Sequence, residues 1–201
     1  RLVTVALAAD DSAPARAALH GRIRDAGAAG LVLEIAGDWG PATLASPLWG
    51  RFNAENLLLA AGILLAEGHS LAQAAAALGR ATAPPGRMQQ LTAPGAPAVL
   101  VDFAHTPDAL RQALGAARQH GTRRAWCVFG CGGNRDRGKR PEMGAVAMEL
   151  ADQVILTDDN PRDEDPQQII ADILAGMPAL DRVQVVPDRA AAIQRAIRSA
   201  A

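Results

Sequence analysis

From residue 86 onward the chain alternates short apolar runs with marked helix starts, and that alternation limits its possible folds more than any other feature. Ala98 to Asp102, Ala125 to Phe129, Val154 to Thr157 and Val183 to Val186 read as strands. Between them, Thr106-Pro107, Pro141-Glu142, Asp165-Pro166 and Asp188 supply caps or a proline at the first helical position. The intervening segments carry apolar stripes at helical spacing, with Leu110, Leu114 and Ala117 in one and Ile169, Ile170, Ile173 and Leu174 in another. Strand, helix and strand in regular succession predict a parallel, right-handed α/β layer.

Upstream the pattern is different. Leu31 to Ile35 reads as a strand among glycine-marked turns, and Phe52 to Glu67 as a long apolar helix stopped by Gly68. Ser70-Leu-Ala-Gln73 is a capping box, opening a second helix that runs to Gly79. Ala83-Pro-Pro-Gly86 then breaks the helical pattern, so a boundary is expected there, with segments 1–83 and 84–201.

With 20 basic and 21 acidic residues and a net charge of −1, the chain has no global field to hold nucleic acid or an anionic membrane. Its apolar run from Leu57 to Ala66 is too short to span a bilayer, and a soluble cytoplasmic protein is expected. Cys127 and Cys131 are the only cysteines. Their C-x3-C spacing, without a second ligand pair, gives neither a usual zinc site nor a disulfide scaffold.

In a parallel α/β sheet, ligands bind beyond the carboxyl ends of the strands. Three such ends carry unusual polar sequence, namely 102–107, 130–141 and 157–162, and all three are expected to open on one edge. The middle loop is rich in glycine and contains Arg135, Arg137, Lys139 and Arg140, which suits an anion held by backbone amides at a helix start. Gly133 to Lys139 satisfies G-x4-G-K, yet Arg140 stands where a phosphate-binding loop needs Ser or Thr, so a true P-loop is rejected. Asp159-Asn160-Pro161-Arg162 suits a zwitterion, with Asp159 for an ammonium, Asn160 to donate and accept, and Arg162 for a carboxylate. A plain helix-entry loop capped by Asp165 explains the same residues equally well. The acidic run through Asp165 does not match a calcium loop. His105 follows a strand and is a candidate ligand contact; His20, His69 and His120 are read as structural.

Taken together, Val101-Asp-Phe-Ala-His-Thr-Pro-Asp-Ala-Leu110, Phe129-Gly-Cys-Gly-Gly-Asn-Arg-Asp-Arg-Gly-Lys-Arg-Pro141 and Thr157-Asp-Asp-Asn-Pro-Arg162 closely resemble the Mur ligase family, in particular its diaminopimelate-adding members. Gly50-Arg-Phe-Asn-Ala-Glu-Asn56 resembles the family's adenine-side segment, and Gly86-Arg87-Met88 its interdomain hinge. The resemblance implies the end of a central ATPase domain (1–83), then a Rossmann-like C-terminal domain (84–201) with a mostly parallel sheet. It also implies ATP and Mg2+ as cofactors, and meso-diaminopimelate with the UDP-MurNAc-dipeptide (UDP-N-acetylmuramoyl-L-alanyl-D-glutamate) as substrates, joined through an acyl phosphate.

By the same resemblance, Asn53, Asn56, Arg87, Asp102 and His105 serve the nucleotide, while Arg135, Asp159, Asn160, Pro161 and Arg162 serve the amino acid. An arginine closing the Asp-Asn-Pro-Arg motif implies diaminopimelate, whose distal carboxylate lysine lacks; a buried Arg162 is the expectation. The family's N-terminal UDP-binding domain, G-K-T loop, carbamylated lysine and final G-K-G-H-E type segment have no counterpart here. A fragment of a longer enzyme, inactive alone, is therefore expected, and no catalytic residue or metal ligand is assigned within it. Lysine-adding and folylpolyglutamate ligases, and a non-catalytic small-molecule-binding module, remain alternatives.

Overall fold

The computed structural model describes residues 2–8, 17–121 and 124–200. The chain forms two compact units, one of Arg1–Pro84 with Gln119–Gly121 and the other of Pro85–Arg118 with Thr122–Ala201.

In the first unit, β1 (Val5–Leu7), β2 (Leu19–Gly27), β3 (Gly30–Gly37) and β4 (Ala42–Ser46) form a sheet in that spatial order. Only β1 and β2 run parallel; β2, β3 and β4 form an antiparallel meander. Period-two alternation puts Leu31, Leu33 and Ile35 of β3 on one buried face. Against that face pack Leu57, Leu58, Ala61 and Leu65 of α1 (Arg51–Ala66). The second helix, α2 (Leu71–Leu78), carries the expected capping box, with Ser70 and Gln73 each accepting the other's backbone N–H. Gly79 ends it in right-handed backbone rather than a left-handed cap, and a Cβ there would lie 2.9 Å from the Ala45 carbonyl oxygen. Close approach to β4, not torsional freedom, explains that glycine.

His120 is fully buried in this unit. Its ring stacks on Trp49 at 4.7 Å, takes the Gly50 N–H on Nε2 at 3.0 Å and lies 2.7 Å from the Gly27 carbonyl through Nδ1. With one ring nitrogen accepting, Nδ1 is the donor. A structural role agrees with these contacts.

The second unit begins with β5 (Gln89–Leu91) and β6 (Val99–Val101), an antiparallel pair forming a sheet of their own. This corrects the sequence reading of residues 98–102 as a member of the parallel layer. The 89–91 segment has no strong apolar pattern to announce it, and β6 is only three residues long. Next come α3 (Pro107–Gln119), β7 (Trp126–Phe129), α4 (Lys139–Leu150), β8 (Gln153–Leu156), α5 (Pro166–Leu174), β9 (Val183–Val185) and α6 (Arg189–Ala200).

Strands β7, β8 and β9 form an all-parallel sheet in that order, the mostly parallel α/β layer expected. Its central strand is buried on both faces: Val154 and Leu156 join a core with residues of α3, α4 and α5, while Ile155 packs with Ala192 and Ala196 of α6. Asp165 caps α5 by accepting the Gln167 N–H, and Asp188 accepts the Ala191 N–H at the start of α6. Helix α4 starts two residues before the proline that marked it, because Pro141 is compatible with any position in the first turn, where no N–H is required. No helix among the described residues is long and apolar enough to cross a membrane.

Candidate functional site

Two loops meet at the carboxyl ends of β7 and β8. Backbone bonds join them, with Thr157 N–H donating to Phe129 O at 3.0 Å and Gly133 N–H to Asn160 O at 2.9 Å. The contact is too close for side chains on the first loop: a Cβ on Gly130 would stand 2.1 Å from Thr157 O, and one on Gly133 only 1.8 Å from Pro161 O. These glycines therefore exist for loop-to-loop packing. The anion cradle anticipated from them is corrected, since the amides of Gly133, Asn134 and Gly138 donate to Asn160 O, Glu164 Oε1 and Asp136 Oδ1.

Of the four cations in the glycine loop, three are committed. Arg140 is entirely buried, forming a two-pronged pair with Glu164 (Nη2 to Oε1 2.9 Å, Nη1 to Oε2 3.0 Å) and a further bond from Nη1 to Asp172 Oδ2 at 2.8 Å. Its expected part in an anion site is thus replaced by a structural one. Arg137 reaches Glu164 Oε2 at 2.9 Å, and Lys139 Nζ donates to His105 O at 2.7 Å, drawing the 102–107 segment to the same loop although β6 lies outside the parallel sheet. Arg135 is exposed and makes no hydrogen bond or ion pair among the described residues.

Glu164 is the hub. Besides both arginines it accepts the Asn134 N–H at 2.5 Å, and Asn134 Nδ2 donates to the neighbouring Asp163 at 2.8 Å. The Arg140 guanidinium first, then the Asn134 amide, hold its carboxyl at about 2, well below the ordinary 4.5. The sequence reading met Glu164 only within the acidic run that fits no calcium loop, and did not single out Asp172. The available signal was Asp172 itself, an acid interrupting the isoleucine stripe of α5, which calls for a cation on the facing helix.

Arg162 sits in left-handed backbone at φ 51° and is exposed, which corrects the expectation of a buried side chain. Its Nη1 donates to Gly133 O at 2.6 Å and approaches Asn160 O at 3.5 Å, leaving Nη2 and Nε for another partner. Asp159 and Asn160 are also exposed, and Pro161 is half-buried. Around the space where a Cβ on Gly132 would lie, Arg162 Nη1 stands at 2.9 Å, the Asn160 carbonyl at 3.5 Å and Asp159 Oδ2 at 3.9 Å. A guanidinium and a carboxylate thus converge on Gly132, with Arg135 three residues along the loop.

The other candidates fall into two groups. Asn53 Nδ2 donates to Trp49 O at 2.8 Å, and Asn56 Nδ2 to Asn53 Oδ1 at 3.3 Å, so the two amides share one face of α1. In the second unit, Asp102 accepts the Met88 N–H at 2.8 Å and the Ala104 N–H at 2.9 Å. Phe103, 62% exposed and unnoticed in the sequence, carries the Arg87 guanidinium over its face at 4.9 Å and the His105 ring against its edge at 5.3 Å. Cys127 and Cys131 are buried and free, and burial pushes both thiols up, Cys127 to about 12. No group of three or more His, Cys, Asp or Glu among the described residues is placed to hold a metal.

The Mur ligase, glutamate ligase domain model matches residues 86–201. A UDP-N-acetylmuramoyl-L-alanyl-D-glutamate–2,6-diaminopimelate ligase from Parasynechococcus marenigrum (strain WH8102) is 54% identical over 166 residues, 80% of this chain and 33% of the relative. The chain thus spans about a third of the length of that curated relative. A solved structure of a ligase with the same activity name is 40% identical, with a TM-score of 0.64, over 89% of this chain and 37% of the other. A Mycobacterium tuberculosis folylpolyglutamate synthase complexed with ADP and AMPPCP shares the fold, at 23% identity and a TM-score of 0.73 over 94% of this chain and 42% of the other. The loops that meet beyond β7 and β8 lie wholly within the matched region, and the chain belongs to the Mur ligase family.

Proposed function

We propose that this chain is the amino-acid-accepting part of a longer ATP-dependent ligase that adds meso-diaminopimelate to UDP-N-acetylmuramoyl-L-alanyl-D-glutamate. The observation that carries this reading is the convergence of Arg162 and Asp159 on Gly132, beside the uncommitted Arg135. An amino-acid zwitterion needs a carboxylate near its ammonium and a guanidinium near its carboxylate. Diaminopimelate brings a second such pair, and Arg162 keeps Nη2 and Nε free for its distal carboxylate. Asp159, Asn160, Arg162 and Arg135 orient the amino acid; Pro161 fixes the turn that presents them.

For the nucleotide, Asn53 and Asn56 are the candidates within the first unit, and Arg87, Asp102 and His105 are, independently, the candidates within the second. Each Asp102 oxygen accepts one amide and retains a lone pair for a ribose hydroxyl. ATP, when bound, supplies the phosphoryl group that activates the substrate carboxylate. Mg2+ accompanies ATP in this reading, and no residue of this chain is assigned to it. A cytoplasmic location accompanies this reading, as do the N-terminal and remaining central-domain portions of the same enzyme.

Arg162→Ala tests the proposal in the full-length ligase carrying this segment. The expected result is a KM for diaminopimelate raised by about 100-fold, on the scale of a lost charge-assisted pair, with the KM for ATP nearly unchanged. Equal losses toward both substrates would contradict it.

A further inference from the structure

Glu164 touches both loops of the site, and its own N–H donates to Pro161 O at 3.0 Å. Through Oε1 it holds the N–H of Asn134, the residue just before Arg135; in sequence it follows Arg162 by two residues. Asn134 and Arg162 are both left-handed, at φ 51° each, a conformation that asparagine tolerates but that arginine keeps only where its surroundings dictate it. The dictating contacts are identifiable. Asn134 is held by Glu164 and Asp163, and Arg162 by Gly133 O and the Asn160 side chain, which accepts its N–H at 3.3 Å.

A second consequence concerns charge. Glu164 occupies Arg140 and Arg137, so Arg135 is left as the loop guanidinium without a partner among the described residues. Without Glu164, Arg137 would be released two residues from Arg135 as a competing cation, and buried Arg140 would keep only Asp172 as a charged partner. Arg140 Nε already lacks a hydrogen-bond partner, and beyond the two acids the guanidinium reaches only the Gly132 carbonyl, at 3.5 Å.

We infer that Glu164 is a positioning residue that sets the spacing of the Arg135 and Arg162 arms and selects which loop cation is available to the amino acid. This rests on the reading of Asp159, Arg162 and Arg135 as the diaminopimelate site. Asp172 serves as the internal comparison: it shares Arg140 with Glu164, yet its other bond is to Gln168 on its own helix and it touches neither arm. A role confined to neutralising buried Arg140 would give neither acid a selective effect on the diaminopimelate KM.

The experiment compares Glu164→Gln, Asp172→Asn and wild type in the full-length ligase, with KM for diaminopimelate and for ATP and thermal midpoints measured in parallel. For E164Q the KM for diaminopimelate should rise by about 10-fold or more with the ATP KM within about 3-fold, while D172N leaves both KM values within about 3-fold. Glu164→Asp, which keeps the charge but shortens the reach, should show the same split if E164Q yields no folded protein. Equal KM changes in E164Q and D172N, or an unchanged diaminopimelate KM in both Glu164 variants, would overturn the inference while leaving the site assignment intact. Failure of the wild-type ligase to use diaminopimelate would overturn both.

Discussion

At the scale of single residues, glycines divide the site into parts that are rigid and parts that can yield. A methyl group on Gly133 would meet the Pro161 carbonyl at 1.8 Å, a backbone atom that cannot move aside without opening the two loops. On Gly132 it would meet the tip of the flexible Arg162 side chain at 2.9 Å. Gly133→Ala should therefore lower the thermal midpoint of the protein, whereas Gly132→Ala should keep a nearly wild-type midpoint and impair use of diaminopimelate alone. Calorimetric melting and steady-state kinetics on both variants check this. Neither distinction is legible in the sequence, where Gly132 and Gly133 are adjacent and identical. The zwitterion-friendly chemistry of residues 159–162 was legible, but not that Arg162 would be exposed with one of its nitrogens spent on Gly133 O.

At the scale of elements, local signals were read well where they act through the backbone. The Ser70 capping box and the Asp165 cap occur as their side chains dictate, and Ser70→Ala should cost about 1 kcal/mol, measurable by denaturant unfolding. Packing stripes were equally clear: Ile173 is fully buried between α5 and its neighbours, so Ile173→Ala should destabilise by about 2–5 kcal/mol. Pairing partners were harder to read, because hydrogen bonding between β5 and β6 depends on residues without strong strand character.

The fastening of α4 to α5 was also hidden, since it relies on burying a charge that composition alone would leave in water. Its pH dependence follows from Glu164. A carboxyl held at about 2 instead of 4.5 contributes stability that is fully present above pH 4.5 and is lost as the pH falls through about 2. Thermal midpoints should decline across that acid interval in wild type and decline less in E164Q; equal declines would remove Glu164 from the account.

For the whole molecule, the alternation of strands and helices after residue 86 anticipated the parallel sheet, and the three loop sequences anticipated the family. What they could not convey is how charge is distributed once folded. Four loop cations become one buried strut, two tethers and one uncommitted guanidinium, an outcome set by long-range partners 24 to 34 residues away in sequence. The chain matches about a third of the length of its curated relative, so its chemistry is to be measured in the full-length ligase. The direct measurement is the ratio of kcat/KM for meso-diaminopimelate to that for lysine as the added amino acid. A ratio of at least about 100 is expected, because lysine leaves Arg162 without its carboxylate partner; a ratio near one would contradict the assignment of Arg162 and the site built around it.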